Sequence, residues 1–219
     1  MGDLSILVWN CDGLNAPHKR ASVLTMLHRR KIHLAFLQET HLLSKDSGRI
    51  ANKFYHTIAS SSANSKTKGV AIVSRRNLNV KVLDMWADTA GRITIARVEV
   101  YGRKVALISA YAPKTFDKDF YDTLTQKMLE LTEYAIMVGA DMNAVWDSNE
   151  WSSLTASRDQ ESATAALQSW AGSLGLVDMW QAFNPQVKDY SFFSARHKSF
   201  SRIDYLFTSP QLFQKVDVM

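Results

Sequence analysis

Short runs of apolar residues recur along the chain, with polar segments between them. Runs such as ILV, LAFL and VAIV are continuous, which is typical of strands buried on both faces. The run RITIARVEV alternates apolar and polar positions, so we expect a half-exposed strand there, followed by a hairpin turn at Tyr101, Gly102 and Arg103. The predicted strands are 4–9, 34–38, 69–74, 92–100, 104–110, 134–139 and 203–207.

Three segments place apolar residues at the spacing of one helical face. The first begins near Pro17 and closes on the basic run 28–31, the second spans 117–133, and the third spans 161–173 before Gly175. Residues 59–68, rich in Ser, Asn and Lys, are predicted to form a surface loop. Because no linker or composition break interrupts this order, residues 1–219 are predicted to form one α+β domain, with sheets packed face to face and helices outside.

Composition and charge narrow the class of protein. Lys and Arg exceed Asp and Glu by 26 to 21, and the resulting net charge of +5 favours an anionic partner. The single cysteine, Cys11, allows neither an internal disulfide nor a cysteine-rich zinc site, which favours a reducing compartment. No apolar run is long enough for a membrane span, and no targeting segment is identifiable. We therefore expect an intracellular protein without membrane contact.

Polar side chains stand at the ends of the apolar runs, where a sandwich gathers its loops. They are Asn10, Asp12, Glu39, Tyr111, Asp141 and Asn143, and Asp204 lies inside the last run. Singly, each Asn or Asp is explained by an Asx turn, and Tyr111 by an edge position. Asp204 is harder to explain, since a buried carboxylate needs a partner. Together the carboxylates and amides suit a hard ion such as Mg²⁺, while the lack of Cys and the few His nearby disfavour zinc.

Five motifs occur in a fixed order: WNCDGLN, FLQETH, SAYAP, GADMN and SRIDYLFTS. In this order they resemble the endonuclease/exonuclease/phosphatase superfamily, which includes deoxyribonuclease I and the abasic-site endonucleases. The segments LVDMWQAFNP and DYSFFSARHKSFSRIDYLF resemble more narrowly the endonuclease domain of LINE-type non-LTR retrotransposons. The resemblance extends from Leu4 to about Ser209. It implies a four-layered α/β/β/α sandwich of two mainly antiparallel sheets with flanking helices.

The resemblance also implies a metal site. Glu39 would be the main ligand of Mg²⁺, or of Mn²⁺ as an alternative ion, with Asn10 and Asp12 beside it and with Asp141 and Asn143 completing the set. If the backbone is extended at Asp141 and Asn143, their side chains share one face, as residues i and i+2 of a strand do.

The remaining roles implied by the resemblance concern the scissile phosphate. Asp141 would orient or deprotonate the attacking water, and Asn143 would hold the phosphate and its developing charge. Tyr111 would donate its phenol to a phosphate oxygen. Asp204 would position Asp141 and Asn143. With Asn10 and Glu39, these residues are the predicted catalytic set.

DNA contacts are expected from a β-hairpin over residues 191–201, whose basic tip would probe a groove. The candidate contacts are Ser191, Arg196, His197, Lys198 and Arg202. The implied activity is nicking of one strand of double-stranded DNA in the nucleus, so that the 3′ hydroxyl primes reverse transcription. A reverse transcriptase domain in the same polypeptide is a candidate partner. Two alternatives stay open: an abasic-site nuclease or other phosphoesterase, and a catalytically inactive DNA-binding remnant of a retroelement.

One departure from the family pattern concerns the end of the sequence. The family completes its catalytic set with a Ser-Asp-His motif after the position of Asp204, whereas no His follows His197 here. We therefore expect a domain truncated at its C-terminus, with the last strand or strands absent and catalysis severely impaired. Plasmid nicking and thermal melting, compared with a chain extended through that motif, test this expectation.

Overall fold

The computed structural model describes residues 4–147, 158–195 and 198–213. The strands are β1 Ile6–Asn10, β2 Leu34–Gln38, β3 Tyr55–Ser61, β4 Val70–Arg75, β5 Val80–Ala87, β6 Ile93–Val100, β7 Arg103–Tyr111, β8 Ala135–Asp141, β9 Val177–Asp178, β10 Phe192–Ser194, β11 Ser199–Ser201 and β12 Asp204–Thr208. The helices are α1 Pro17–Arg29, α2 Lys118–Leu129, α3 Arg158–Ser173, α4 Met179–Phe183 and α5 Pro210–Phe213. A 3₁₀ turn covers Ser44–Arg49.

The strands form two large sheets and a hairpin. One sheet has the order β1-β2-β4-β3, the other has the order β5-β6-β7-β8-β12-β9, and β10 pairs with β11. Most pairs are antiparallel, but β1 runs parallel to β2 and β7 runs parallel to β8. Each parallel pair brings the carboxyl ends of two strands to the same edge of its sheet.

Three apolar clusters separate four layers. Helix α1 packs on the outer face of the four-stranded sheet, and α2 and α3 pack on the outer face of the six-stranded sheet. The two sheets meet through residues such as Phe36, Ile72, Val98 and Leu107. A Cβ atom on Gly139 would lie 2.3 Å from Cγ of Phe36, so a residue without a side chain is required where β8 crosses β2. The predicted α/β/β/α sandwich is confirmed.

Local signals set the helix boundaries. Pro17 occupies the first position of α1, where its missing N–H costs nothing. The carboxylate of Asp117 accepts hydrogen bonds from the backbone N–H groups of Asp119 and Phe120 and thereby caps α2. Gly175, with φ of +61°, follows α3 in the left-handed conformation. Within the described ranges, no helix combines the length and apolar character that a membrane span requires.

The structure corrects three expectations about strands. Strand β6 is mostly buried rather than half-exposed, because the four-stranded sheet covers one of its faces and the outer helices cover the other. The predicted loop 59–68 begins too early, since β3 continues to Ser61 in the pairing with β4. Strands β3 and β5 were not predicted: β3 contains few apolar residues, and β5 is an exposed edge strand without a buried run.

Candidate active site

Five of the predicted site residues stand at one edge of the sandwich. Asn10 ends β1, Tyr111 ends β7 and Asp141 ends β8, while Glu39 directly follows β2. Asp204 begins β12, which runs antiparallel to β8, so it reaches the same edge from the opposite direction. The parallel pairs β1–β2 and β7–β8 explain why these strand ends converge.

Asn10 joins the two sheets at this edge. Its Nδ2 donates to Oε1 of Glu39 at 2.9 Å and to Oδ2 of Asp141 at 2.8 Å. Its Oδ1 accepts the backbone N–H of Asp12 at 3.0 Å. The two carboxylates therefore lie within hydrogen-bond distance of a single nitrogen, although their residues are 102 positions apart in the sequence. We call Glu39, Asp141 and Asp204, together with the Asn10 amide that bridges the first two, the carboxylate cluster.

Glu39 is held as an anion. Burial raises the pKa of its carboxyl, but hydrogen bonds from Asn10, Tyr111 and His41 outweigh this effect and bring the pKa below its ordinary value. Burial and the bond to Glu39 together raise the pKa of the Tyr111 phenol, which therefore stays protonated and donates. The ring of His41, absent from the predicted set, places Nε2 3.2 Å from Oε2 of Glu39.

Asp141 and Asp204 stand directly opposite each other on β8 and β12. Burial and the charge of Asp204 raise the pKa of Asp141. Burial also raises the pKa of Asp204, against a hydrogen bond from Ser191. Oδ1 of Asp204 is shielded from water and accepts no hydrogen bond from any described residue. Two facing carboxylates in a dry setting repel one another, so this pair favours a proton or a cation nearby.

The backbone is strained around the cluster. Asp12, Glu39, His41 and Asn143 have φ between 45° and 55°, in the left-handed region that residues with side chains rarely adopt. Such strain tends to accumulate at functional sites. The loops at this edge are therefore held in fixed, unusual conformations.

The backbone is not extended through Asp141 and Asn143, so the condition under which their side chains would share one face is not met. The N–H of Asn143 donates to Oδ1 of Asp141 at 2.9 Å, which closes a turn in place of a strand. The side-chain Nδ2 of Asn143 donates to the backbone oxygen of Ala112 at 2.8 Å. The Asx turns expected of isolated residues are thus present at both Asn10 and Asp141, and the same two side chains also build the cluster.

The cluster fits a hard cation held by few protein ligands. Mg²⁺ in phosphoryl-transfer sites binds one or two carboxylates, with water and substrate phosphate completing its shell. Glu39, with Asn10 and Asp141 beside it, supplies oxygens of this kind. Asp12 is exposed, and its backbone N–H donates a hydrogen bond to Oδ1 of Asn10. In the described part of the chain, no group of three or more His, Cys, Asp or Glu side chains is arranged to hold a metal ion by itself.

Arg92 is a further residue that the sequence pattern did not single out. Its Nη1 donates to the backbone oxygen of Tyr111 at 2.9 Å, and its guanidinium carbon lies 5.1 Å from the centre of the Tyr111 ring. Arg92 is half-buried, and it places a positive charge next to the Tyr111 ring. The phenol of that ring donates a hydrogen bond to Glu39. The only sequence signal was its position at the start of the alternating run.

The predicted DNA contacts have four different outcomes. Arg202 is buried, and its Nη1 lies 2.7 Å from Oδ2 of Asp178, so the expectation that it contacts DNA is corrected. The hydroxyl of Ser191 accepts the N–H groups of Ile203 and Asp204 and holds the hairpin base against the cluster. Lys198 is exposed at the hairpin turn, as expected. Arg196 and His197 lie outside the described residues.

Asp204→Asn should stabilise the chain when no metal is added. The melting temperature is expected to rise by about 2–4 °C at neutral pH, or about 1 kcal/mol for a domain of this size. Both carboxyls have pKa values raised above the ordinary 3.8. Between the ordinary and the raised values the folded chain keeps protons that the unfolded chain has lost, so the stability of the parent falls as pH rises from about 4.

The measurement is thermal melting from about pH 4 to pH 8 in EDTA. The advantage of the Asn variant should be present at neutral pH and vanish near pH 4. Glu133→Gln is the control, because its bond to Lys104 is at the surface and should matter little. A gain that is independent of pH would show that the like-charge pair is not its cause.

Comparison with known proteins adds to this geometry. Residues 7–218 match the family described as Endonuclease/Exonuclease/phosphatase family. The "Transposon TX1 uncharacterized 149 kDa protein" of Xenopus laevis is 25% identical over 217 residues, which cover 97% of this chain but only 16% of that protein.

Two solved structures share the fold. AP endonuclease LMAP from Leishmania major superposes with a TM-score of 0.77 at 15% identity, over 95% of this chain and 79% of the other. The endonuclease domain of TRAS1, a telomere-specific non-LTR retrotransposon, gives a TM-score of 0.68 at 17% identity, over 97% of this chain and 88% of the other. Both likenesses hold over nearly the whole length of this chain.

Proposed function

Because this chain belongs to the endonuclease/exonuclease/phosphatase family, we propose that it is a Mg²⁺-dependent DNA endonuclease that nicks one strand of double-stranded DNA. The observation that carries the proposal is the single amide of Asn10 bridging Glu39 and Asp141 across the two sheets. It brings the ionised carboxylate of Glu39, a candidate cation ligand, beside a second carboxylate with a raised pKa, and this combination suits water activation near phosphate.

The residues of the site have separate proposed roles in hydrolysis. Glu39 and Asn10 would hold Mg²⁺, which when bound supplies a Lewis acid for the phosphate oxygens. Asp141 would accept one proton of the attacking water as the water oxygen forms a bond to phosphorus. The bond from phosphorus to the 3′ oxygen breaks, and that oxygen takes a proton from solvent and leaves as the 3′ hydroxyl. Asn143, fixed by its bond to Ala112, stabilises charge on the phosphate. The phenol of Tyr111 has one proton, which it donates to Glu39 here, and it would turn that donor to a phosphate oxygen when substrate is bound.

The similarity to the TRAS1 endonuclease domain and to the TX1 protein supports retrotransposon DNA as the setting. We extend the proposal accordingly: the nick is made in nuclear DNA, and its 3′ hydroxyl primes a reverse transcriptase in the same polypeptide. Mn²⁺ would replace Mg²⁺, since both accept oxygen ligands.

The direct test is nicking of supercoiled plasmid with Mg²⁺, with an EDTA control and a parallel DNA-binding assay. It is run on this chain and on the same chain continued through a Ser-Asp-His motif. Metal-dependent open circles from either version support the proposal. Cleavage confined to abasic sites would favour a repair nuclease, and binding without cleavage in both versions would favour an inactive DNA-binding remnant.

Arg196→Ala with Lys198→Ala should weaken duplex binding and flatten its salt dependence, with the log-log slope falling by up to about one unit for each lost phosphate contact. Lys81→Ala with Arg103→Ala is the matched control. Those two residues lie at the end of the six-stranded sheet remote from Tyr111 and Asp141. The measurement is the duplex binding constant of each variant across a series of salt concentrations. An unchanged log-log slope in the Arg196 and Lys198 variant would mean that DNA does not contact the hairpin tip.

A further inference from the structure

Aromatic side chains line a path from the β10–β11 hairpin toward the carboxylate cluster. Phe193 and Phe200 face each other across the hairpin with ring centres 4.6 Å apart, and Tyr190 lies 5.8 Å from Phe200. Tyr190 also lines a groove together with Trp146 and Trp180. We call these five residues the aromatic track.

The groove is large enough for part of a nucleotide. It encloses about 410 Å³, which lies within the range of clefts that hold small organic ligands. The Trp180 ring is braced by the guanidinium of Arg202, 5.2 Å from the ring centre, so this wall of the groove is rigid. Tyr190, which lines this groove, directly precedes Ser191, and the Ser191 hydroxyl accepts the backbone N–H of Asp204, so this end of the groove lies beside the cluster.

The hairpin end of the track is open to solvent. Phe193 is 50% exposed and Phe200 is 46% exposed. Adjacent aromatic rings at a soluble surface are uncommon unless they mark a binding site. The hairpin is also fixed relative to the cluster, because the Ser191 hydroxyl at its base accepts the backbone N–H of Asp204. A ligand on these rings is therefore held in a defined position relative to the cluster.

We propose that the aromatic track binds unpaired nucleobases beside the scissile phosphate. The inference rests on the proposed function and narrows its substrate to DNA with unstacked bases at the cleavage point. Flat aromatic rings bind unstacked bases by stacking, whereas paired bases inside a duplex expose only their edges.

The charges along the track agree with this ligand. Lys188 lines the groove and Lys198 lies at the hairpin turn, where each can contact a backbone phosphate. Asp147 and Asp189 also line the groove, and carboxylates there accept hydrogen bonds from the amino groups of bases.

The test compares two DNA probes in EDTA, where cleavage does not interfere. One is a duplex with three unpaired nucleotides, one of them 2-aminopurine, and the other is the same duplex fully paired. The parent should bind the first probe about tenfold more tightly and quench its fluorescence through stacking. Phe193→Ala with Phe200→Ala should remove that preference and leave binding to the paired duplex unchanged.

Two further variants sharpen the result. Phe200→Leu keeps an apolar side chain without a ring, and it should also lose the preference for the probe with unpaired nucleotides. If this variant kept the preference, the binding would not depend on stacking. Tyr101→Ala removes a ring that is 50% exposed at the opposite end of the six-stranded sheet and should change nothing.

The outcomes separate this inference from the function on which it rests. If the parent binds both probes equally, or if the Phe variants lose both equally, the track is not a site for unpaired bases and the endonuclease proposal stands. If the parent binds neither probe, both fail. A change of oligomeric state in the Phe variants, measured by sedimentation, without a change in probe preference would assign the rings to an interface between copies of this chain.

Discussion

Glu39→Ala is expected to lower Mg²⁺-dependent nicking by on the order of 10³, to the background of the assay. A hard divalent ion needs at least one direct carboxylate, and Glu39 is the cluster member whose pKa lies below its ordinary value. Its loss also frees the phenol of Tyr111 and the ring of His41 from their shared partner. The rate is measured on the chain continued through a Ser-Asp-His motif.

Binding of the metal provides a measurement that does not depend on turnover. Mn²⁺ titrated into the parent should bind, and Glu39→Ala should bind it at least about tenfold more weakly. Glu133→Ala is the control, because this carboxylate pairs with Lys104 at an exposed position away from the cluster. Parental nicking or parental Mn²⁺ affinity in Glu39→Ala would show that another residue holds the ion.

Residues at the ends of strands were predictable because strand ends in a sandwich converge. The apolar runs located β1, β2, β7, β8 and β12, and the polar residue after each run had to emerge at one edge of its sheet. Which runs lie side by side was not readable from periodicity. The ordered motifs supplied the sandwich architecture through resemblance, whereas the order of the strands, including the parallel pairs β1–β2 and β7–β8, comes from the structure.

Features that depend on the local backbone or on distant packing were not predictable. Asn143 takes φ of 46° because an Asx turn closes on Asp141. That turn was one interpretation of the segment GADMN, but the letters alone do not decide between it and a continued strand. His41 reaches Glu39 only because both residues adopt left-handed conformations. Arg92 gained its position from β6 and β7 pairing, which places it over Tyr111.

Arg202 shows the same limit for charged residues. Its place in the basic segment SFFSARHKSFSR suggested a DNA contact, since Arg is mostly exposed and favours phosphate. Its burial depends on Asp178, which lies 24 positions earlier and comes into range only because β12 pairs with β9. A pattern confined to one segment carries no information about such a partner.

Arg202→Ala is therefore expected to damage folding, not DNA contact. Both side chains of the Arg202–Asp178 pair are almost wholly buried, at 4% and 6% exposure. Removing one member leaves the other charge buried without compensation, which typically costs about 3–5 kcal/mol. The guanidinium also lies 4.5 Å from the Tyr205 ring centre and 5.2 Å from that of Trp180, and those contacts are lost as well. The melting temperature should fall by about 10 °C.

A double substitution distinguishes a structural role from a binding role. Replacing Arg202 by Met and Asp178 by Asn removes both charges, and the amide can still accept the N–H groups of Trp180 and Gln181 that Asp178 caps. Since the cost of a broken pair is mostly the orphaned charge, this variant should recover much of the stability lost in Arg202→Ala. Its duplex affinity and salt slope should equal those of the parent, measured at a temperature where both are folded. A slope reduced by about one unit in this well-folded double variant would instead mean that the Arg202 guanidinium leaves Asp178 to neutralise a phosphate.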